Sequence, residues 1–317
     1  MTADATSFDQ LSHRLWEGGV AAFCPTTLSS PPRVLRAAVG RMGRWIRSGS
    51  APGALPLGIH LEGPFINSHA CGAHPPGLLR PLNFLELEAL WEASLGTLKI
   101  LTVAPEMLDQ TQLKKLVKWA DSRKIRLSAG HSHATESQAQ AAFEAGFRGV
   151  THAWNALAYH HRDPGILGAA ISRSDSFIEL IIDQVHVAPE VIRWTQTLQP
   201  ADRLCFVSDC VPAAETPGGR WHSFGSLKIR CDQGACRLPG GALAGGGRLL
   251  TRTFEQWVRD QAQTKDKAQA ILRRSLPSIT SAPLRYLGVA ASKLSERRVH
   301  WVACRSGKQW EIQAIPG

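Results

Sequence analysis

Short apolar runs alternate along the chain with stretches of helical spacing. Seven of these runs have the length and composition of buried strands, and several end on an unusual polar residue. They are Val20-Ala21-Ala22-Phe23, Leu57-Gly58-Ile59-His60-Leu61, Leu98-Lys99-Ile100-Leu101-Thr102-Val103, Ile125-Arg126-Leu127-Ser128, Gly149-Val150-Thr151, Phe177-Ile178-Glu179-Leu180-Ile181-Ile182 and Leu204-Cys205-Phe206-Val207. Between them, segments such as Gln112 to Trp119 and Ser137 to Gly146 have apolar positions at helical spacing. This alternation predicts an α/β fold whose parallel strands are joined by helical crossovers.

Two architectures are compatible with this alternation, a doubly wound sheet and a TIM-like (β/α)8 barrel. The unusual polar residues follow many different strands and do not gather at one crevice. That distribution favours the mouth of a barrel, where all strand ends meet. Seven visible strands are one fewer than the eight that close such a barrel.

The pattern changes after the seventh strand. Ser226 to Arg230 and Cys236 to Leu238 predict a β-hairpin, and a glycine-rich loop follows it, so that this region covers about residues 218–247. Helical spacing then extends from Leu249 to about Gly288. We therefore predict a hydrolase-type barrel over residues 1–288 and a remnant of a C-terminal β segment over residues 289–317.

Composition and charge add weak constraints. Of 317 residues, 44% are hydrophobic and 20% are charged, which is the balance of a globular protein with a core. The net charge of +10 comes from scattered Lys and Arg, which suits a phosphorylated metabolite as well as nucleic acid. Seven cysteines without a C-x-x-C pair predict a reducing compartment and no zinc ribbon. Without a signal peptide or an apolar run of about 20 residues, the sequence predicts a cytoplasmic protein.

Four predicted strands end in residues that suit chemistry better than a core. They are Glu62 after Leu61, His131 after Gly130, His152 after Thr151 and Asp209 after Ser208. At the mouth of a barrel all four would point into one space. One glutamate and two histidines make a three-ligand set for zinc that leaves a fourth position open for water. A separate aspartate can then act as a base on that water.

Each of these residues also has a structural interpretation. A single strand-end Glu or His is more often a satisfied structural group than a ligand. A strand-end Asp can simply cap the next helix. Together the four favour a functional site. His60 shares the strand face of Glu62, and we interpret it as a supporting residue and not as a ligand.

Several motifs around these residues form a more specific pattern. They are His60-Leu61-Glu62-Gly63-Pro64-Phe65-Ile66-Asn67, Gly72-Ala73-His74, Val103-Ala104-Pro105-Glu106, Ala129-Gly130-His131-Ser132, Thr151-His152-Ala153-Trp154-Asn155-Ala156, Arg162-Asp163-Pro164-Gly165 and Ser208-Asp209. In this order and spacing, from about Gly19 to about Leu287, they resemble N-acetylglucosamine-6-phosphate deacetylases of the amidohydrolase superfamily. The H-L-E-G-P-F block followed by G-A-H is highly specific to that family.

The resemblance implies a metal-dependent deacetylation. It implies that Glu62, His131 and His152 hold one divalent metal ion per chain, zinc, and that Asp209 takes a proton from the metal-bound water. The hydroxide would attack the acetyl carbonyl, which His74 would polarise. Asp209 would return its proton to the leaving amine. N-acetylglucosamine 6-phosphate would then yield glucosamine 6-phosphate and acetate.

The resemblance also implies a substrate-binding set and a homodimer. The positions that match the family's substrate contacts are Ala73, His74, Asn155, Ala156, Arg162, Asp183, His186, Leu243, Ala244 and Gly245. Arg162 matches the phosphate-binding arginine, and a guanidinium group suits phosphate oxygens. His186 matches a histidine that reaches the substrate of the neighbouring subunit.

The chain departs from the family pattern in three respects. Family members begin with a β-sandwich segment and a first barrel strand, often carrying H-x-H, and nothing here matches them. We therefore expect either a barrel without its first strand or a start upstream of Met1, and no second metal. His133 stands where the family usually has Asn, and Gln184 stands where it usually has Gly. The C-terminal β segment is eroded beyond Arg298.

Other functions stay open on the residues alone. One is a related amidohydrolase acting on another N-acyl aminosugar. A second is a non-catalytic sugar-phosphate-binding paralogue that keeps the fold. A third is a nucleic-acid binder, suggested by a pI of about 9.6, but the chain lacks a recognition motif and a concentrated basic face.

Overall fold

The structure divides into two compact units. A computed structural model describes residues 5–262, 264–306 and 309–316. The first unit comprises the chain up to Gln10, Phe23–Pro52 and Pro56–Ile178. The second comprises Leu11–Ala22, Gly53–Leu55 and the chain from Glu179 onward. Helix α1 (Ala5–Glu17) contributes residues to both units.

A parallel sheet is the main feature of the first unit. Strands β1 (Ala22–Phe23) and β2 (Leu55–Pro56) pair as a separate two-stranded ladder. The larger sheet contains, side by side in chain order, β3 (Ile59–Glu62), β4 (Leu98–Val103), β5 (Arg126–Ala129), β6 (Gly149–Val150) and the start of β7 (Phe177–Ile181). The helices of this unit are α2 (Pro32–Ser48), α3 (Phe84–Ala93), α4 (Gln110–Ser122), α5 (Glu136–Ala145) and α6 (Gly165–Ile171).

Local sequence signals start the helices that follow the strands. The Asp109 carboxylate accepts a hydrogen bond from the Gln112 amide at 2.8 Å, and the Gln112 side chain accepts one from the Asp109 amide. Thr135 and Gln138 make the same reciprocal capping box before α5. Apolar strand residues fill the centre of the unit, with at most 2% exposure, at Ile59, Leu61, Leu101, Val103, Leu127 and Val150. The polar residues Glu62, His131 and His152 therefore lie at or just beyond the carboxyl ends of their strands.

The second unit contains the end of the parallel sheet and an antiparallel sheet. β7 is followed by α7 (Pro189–Leu198) and by β8 (Leu204–Val207), which pairs with β7. The antiparallel sheet has the strand order β12-β11-β10-β9, with β9 (Trp221–Phe224), β10 (Leu227–Asp232), β11 (Ala235–Arg237) and β12 (Leu243–Gly246). Helices α8 (Leu250–Gln261), α9 (Lys265–Ile279) and α10 (Ser281–Leu287) follow, and β13 (Val299–Ser306) pairs with β14 (Gln309–Pro316). No helix in the described residues has both the length and the apolar character needed to cross a membrane.

The predicted parallel α/β pattern and the predicted hairpin are confirmed. Six of the seven predicted strands form the sheet β3 to β8, and β10 pairs with β11 where the hairpin was expected. Cys231 and Cys236 oppose each other across this hairpin and form a disulfide, which the cysteine spacing did not predict.

The prediction for the first apolar run was wrong in its pairing. Ala22 and Phe23 pair with β2 in the separate ladder and not with the parallel sheet. A single parallel bridge from Thr26 to His60 continues the sheet beside β3. Pro25 accepts a hydrogen bond from the His60 amide at 3.0 Å. Because proline has no amide hydrogen, it cannot also donate to a ladder, and the pairing stays short.

Candidate metal centre

The three predicted ligands converge in the first unit. Glu62 ends β3, His131 comes two residues after β5, and His152 comes two residues after β6. One ligand atom of each lies within 4.8 Å of the others, and no more than 6% of any of the three residues is exposed. The Glu62 Oε1 atom is 2.9 Å from His131 Nε2 and 3.0 Å from His152 Nε2. The strand-end pattern in the sequence therefore brings together a compact, buried cluster.

The hydrogen bonds of His131 fix which atoms face the centre of this cluster. His131 Nδ1 lies 2.8 Å from the carbonyl oxygen of Ala70, which can only accept, so Nδ1 carries the hydrogen. In the neutral ring Nε2 then presents a lone pair. That lone pair points at the Glu62 carboxylate and lies 3.0 Å from His152 Nε2.

The acceptor atoms of Glu62, His131 and His152 repel one another unless a cation or a proton lies among them. Burial alone would raise the pKa of Glu62, but positive charge shared with His131 and His152, whose Nε2 atoms lie 2.9 and 3.0 Å away, outweighs burial and holds that pKa well below the usual range. Glu62 is therefore a carboxylate. One carboxylate and two imidazole nitrogens are a donor set that zinc accepts, with room for a further ligand. Within the described ranges, this is the group whose geometry fits a bound metal ion.

The backbone at the two candidate histidine ligands is strained. The φ angles of His131 and His152 are +48° and +31°, in the left-handed region that favours glycine. For other residues this conformation costs roughly 1–2 kcal/mol. Non-glycine residues held in that region cluster at functional sites, where the surrounding structure maintains them. The sequence gives no sign of this strain, because both residues are ordinary histidines.

His74 lies beside the cluster and is oriented by Ser29. Its Nδ1 accepts hydrogen bonds from the Ser29 amide at 3.2 Å and from the Ser29 hydroxyl at 2.8 Å. A backbone amide can only donate, so His74 Nδ1 carries a lone pair and the hydrogen is on Nε2. That Nε2 atom is 3.9 Å from Glu62 Oε1. Burial, reinforced by repulsion from His131, lowers the pKa of His74 to about 3, so the ring is neutral at pH 7.

This tautomer can be measured directly. In protein labelled with nitrogen-15 histidine, we expect His74 to show the neutral Nε2–H pattern at about pH 7, because two donors face Nδ1. The His74→Gln variant assigns the signals. Ser29→Ala should broaden or shift them, whereas Ser30→Ala should not, because the Ser30 hydroxyl donates to the Leu28 carbonyl. A protonated Nδ1 in the native protein would contradict the geometry.

A chain of buried hydroxyl groups connects His60 to the neighbouring strands. His60 Nε2 is 2.7 Å from the Thr102 hydroxyl, which is 2.7 Å from the Thr151 hydroxyl. Ser128 joins the same chain at 2.7 Å from Thr151. Burial lowers the pKa of His60 to about 4, so this histidine is neutral. His60 is therefore bonded within the sheet and is not a member of the ligand group, in agreement with its interpretation as a supporting residue.

Other predicted positions of the first unit lie in loops around the cluster. Asn155 donates to the His152 carbonyl at 3.1 Å, and the Ala156 carbonyl accepts from the Ser132 amide at 3.0 Å. Ala73 directly precedes His74. Arg162 is exposed, and its Nη1 atom lies 3.0 Å from His161 Nε2.

Two departures from the family pattern, His133 and Gln184, have a structural account. His133 is exposed, and its ring lies 6.4 Å from that of His69, so it does not join the ligand group. Gln184 has a φ angle of +64°. A glycine adopts that angle without strain, which explains why glycine is usual there.

Asp209 lies in the second unit, directly after Ser208 at the end of β8. Its φ angle is +48°, so it shares the strained backbone of the two histidines. The Asp209 carbonyl accepts a hydrogen bond from the Gly246 amide at 2.8 Å. A Cβ atom at Gly245 would lie 2.8 Å from the Asp209 carbonyl oxygen, so only glycine fits there. The predicted loop Leu243-Ala244-Gly245 therefore packs against Asp209.

Asp183 and His186 form a buried pair in the second unit. His186 Nδ1 donates to Asp183 Oδ2 at 2.6 Å, and each side chain is only 4% exposed. Burial alone would raise the pKa of Asp183, but the hydrogen bonds that it accepts from His186 and from the Val185 amide lower it overall. Among the described residues, the buried His186 Nε2 atom has no hydrogen-bond partner.

No protein-family model matches the chain. Several curated proteins are similar to it in sequence. The N-acetylgalactosamine-6-phosphate deacetylase of Escherichia coli O157:H7 is 34% identical over 282 residues, which cover 89% of this chain and 71% of that protein. The N-acetylglucosamine-6-phosphate deacetylase of Danio rerio is 33% identical over 291 residues, which cover 89% of this chain and 69% of that protein. The enzyme of the same description from Mus musculus is 35% identical, but the chain spans only 58% of its length.

Solved structures of similar proteins share the fold. The N-acetyl-D-glucosamine-6-phosphate deacetylase of Mycobacterium smegmatis superposes with a TM-score of 0.83 at 26% identity, over 98% of this chain and 79% of that one. A mutant of that enzyme in complex with N-acetyl-D-glucosamine-6-phosphate gives a TM-score of 0.78 at 28% identity, over 90% of this chain and 71% of that one.

Proposed function

The chain belongs to the N-acetylglucosamine-6-phosphate deacetylases, a family of hydrolases, and from this premise we propose that it hydrolyses the N-acetyl group of N-acetylglucosamine 6-phosphate to give glucosamine 6-phosphate and acetate. A TIM-like barrel is part of the same proposal, supported by the parallel sheet β3 to β8. The cytoplasmic location stays a prediction that cell fractionation would test.

The observation that carries this proposal is the convergence of Glu62, His131 and His152. Their carboxylate oxygen and imidazole nitrogens would hold one divalent ion per chain, for which zinc is the best match. Zinc in such a site lowers the pKa of water and polarises a carbonyl group.

His74 supplies a hydrogen-bond donor next to this centre. Because Ser29 occupies Nδ1 and burial keeps the ring neutral, the Nε2–H group is available to the acetyl carbonyl oxygen. A donor oriented in advance stabilises the negative charge that develops on that oxygen during attack.

Asp209 is proposed as the general base and acid. It would accept a proton from the attacking water and then donate it to the nitrogen of the leaving amine. Its strained φ angle and its packing against Gly245 and Gly246 support a role that requires a fixed orientation.

The remaining predicted positions would contact the substrate. Ala73, His74, Asn155 and Ala156 would contact the N-acetyl sugar, together with the loop Leu243-Ala244-Gly245. Arg162 would bind the phosphate, and its exposed guanidinium group is compatible with that role. His186 would face the substrate of a neighbouring subunit in a homodimer. The buried Asp183 carboxylate fixes the His186 ring and leaves its Nε2 atom directed away from the pair.

The substrate class is tested by acetate release from a panel of N-acetyl hexosamines with and without a 6-phosphate. We expect turnover of the phosphorylated sugars. The relative from Escherichia coli O157:H7 favours N-acetylgalactosamine 6-phosphate as the second candidate substrate. Binding of phosphorylated sugar without acetate release would support the non-catalytic paralogue.

Arg162→Ala is expected to weaken recognition of the phosphate. A charge-assisted hydrogen bond contributes about 1.5–3 kcal/mol, so KM for the phosphorylated sugar should rise about 10- to 100-fold. KM for the unphosphorylated sugar should change little. Arg173→Ala is the matched control, because Arg173 is already paired with Asp175. An equal effect of Arg162→Ala on both sugars would mean that Arg162 does not contact the phosphate.

A further inference from the structure

The side chain of Glu106 has no part in the proposed reaction, yet three donors converge on it. Glu106 Oε1 accepts hydrogen bonds from Asn67 Nδ2 at 2.8 Å and from the His133 amide at 2.6 Å. Glu106 Oε2 accepts one from the Ser132 hydroxyl at 2.5 Å. A carboxylate is the side chain that can accept all three, since it has acceptors only.

The position of Glu106 in the sheet explains this convergence. Glu106 follows β4, and β4 lies between β3 and β5. Asn67 belongs to the loop after β3, whereas Ser132 and His133 belong to the loop after β5. Glu106 therefore connects the loops on either side of its own strand.

One of these connections leads to the ring of the ligand His131. The Asn67 amide donates to the His131 carbonyl at 3.0 Å. The Asn67 side-chain oxygen also accepts a hydrogen bond from the His69 amide at 2.9 Å. The Asn67 backbone carbonyl accepts another from the Ala70 amide at 3.0 Å. These bonds fix a turn whose last carbonyl, that of Ala70, accepts the Nδ1–H of His131. The turn thereby aims Nε2 of His131 into the cluster.

The other connection holds the backbone of His131. Ser132 and His133 follow the ligand directly, and both donate to Glu106. His131 has a φ angle of +48°, which is maintained only if its neighbours prevent relaxation. Glu106 thus restrains the ring and the strained backbone of the same ligand.

We propose that Glu106 is a positioning residue that sets the affinity of the Glu62, His131 and His152 site for its metal ion. The inference rests on the metal site of the proposed function, but it does not depend on which sugar is hydrolysed. Groups that orient a metal ligand typically contribute 10- to 100-fold to metal affinity.

The test compares zinc affinity, measured by chelator competition, in purified variants of the whole chain. Glu106→Ala should bind zinc about 10- to 100-fold more weakly than the native protein. Glu106→Gln should bind it about 3- to 10-fold more weakly, because one oxygen still accepts from Asn67 and His133. The visible absorption of the cobalt-substituted Glu106→Gln protein should also shift, because the geometry at His131 changes.

Glu88→Ala is the matched control. Glu88 also accepts three hydrogen bonds, one from Trp119 and two from Arg123, and it contacts none of the three ligands. The Glu88→Ala substitution should lower the melting temperature of the metal-free protein but leave its zinc affinity within about 2-fold of that of the native protein. A purely structural role for Glu106 predicts the same behaviour for both variants.

The outcomes separate this inference from the proposed function. Native zinc affinity in Glu106→Gln and Glu106→Ala would overturn the role of Glu106, and so would an equal loss in Glu88→Ala. If Glu106→Ala fails to fold, Glu106→Gln decides alone. If the native chain binds zinc but releases no acetate from any sugar, the deacetylase proposal fails while the affinity series still decides the role of Glu106. A native chain that binds no zinc would overturn both.

Discussion

Replacement of Asp209 by asparagine is expected to lower turnover by about 10²- to 10⁴-fold, the range typical for the loss of general acid–base catalysis. Asparagine has the shape of aspartate and also tolerates a left-handed backbone, so the φ angle of +48° should persist. The hydrogen bond from the Gly246 amide to the backbone of this residue is also retained. The loss should therefore be chemical and not structural.

The measurement is the rate of acetate release at saturating substrate, together with the zinc content of the same sample. Zinc content should be unchanged, because Asp209 is not a member of the ligand group. Asp202→Asn is the control, since Asp202 lies just before β8 in the same unit and pairs with Arg285. Near-normal turnover of the Asp209→Asn protein would contradict the proposed role of Asp209 as general base and would show that it has only a structural role at the end of a strand.

Removal of the metal ion is expected to abolish activity completely. The chelated protein should regain full activity on addition of about one zinc ion per chain, because the described residues contain one group with ligand geometry. Glu62→Gln should weaken zinc binding by more than about 100-fold. Removing a group that only orients a metal ligand already weakens metal binding by up to about 100-fold. Glu62 would contact the ion itself and carries the negative charge of the group, so its loss should weaken binding further.

Elemental analysis and chelator competition provide the measurements. Glu179→Gln is a suitable control, because Glu179 is also a buried glutamate of the parallel sheet but lies outside the ligand group. Two tightly bound ions per chain would contradict the single site. Full activity in the metal-free protein would remove the observation on which the proposed function depends.

The sequence predicted that Glu62, His131 and His152 lie together because their pattern is local. Glu62, His131 and His152 each end an apolar run, and parallel strands bring such ends to one edge of a sheet. The order β3 to β8 then follows the chain, as successive strand–helix units tend to do. These inferences required only the position of each residue within its own strand.

The partners of the site could not be predicted, because they depend on contacts between distant segments. Ser29 and His74 are 45 residues apart, and nothing local distinguishes Ser29 from the neighbouring Ser30. Glu106 was visible within a motif, but its three donors come from two other loops. The pairing of Ala22 and Phe23 was predicted wrongly because an apolar run does not specify which sheet it joins.

The left-handed backbone at His131, His152 and Asp209 has a consequence for the evolution of the protein in the laboratory. At each of these positions glycine would relieve roughly 1–2 kcal/mol of conformational strain. A library of the metal-free protein screened for heat resistance alone would therefore tend to accumulate glycine there and discard the side chains proposed to act in the reaction. Variants would have to be screened for turnover in every round, because at these three positions thermal tolerance and function select opposite residues.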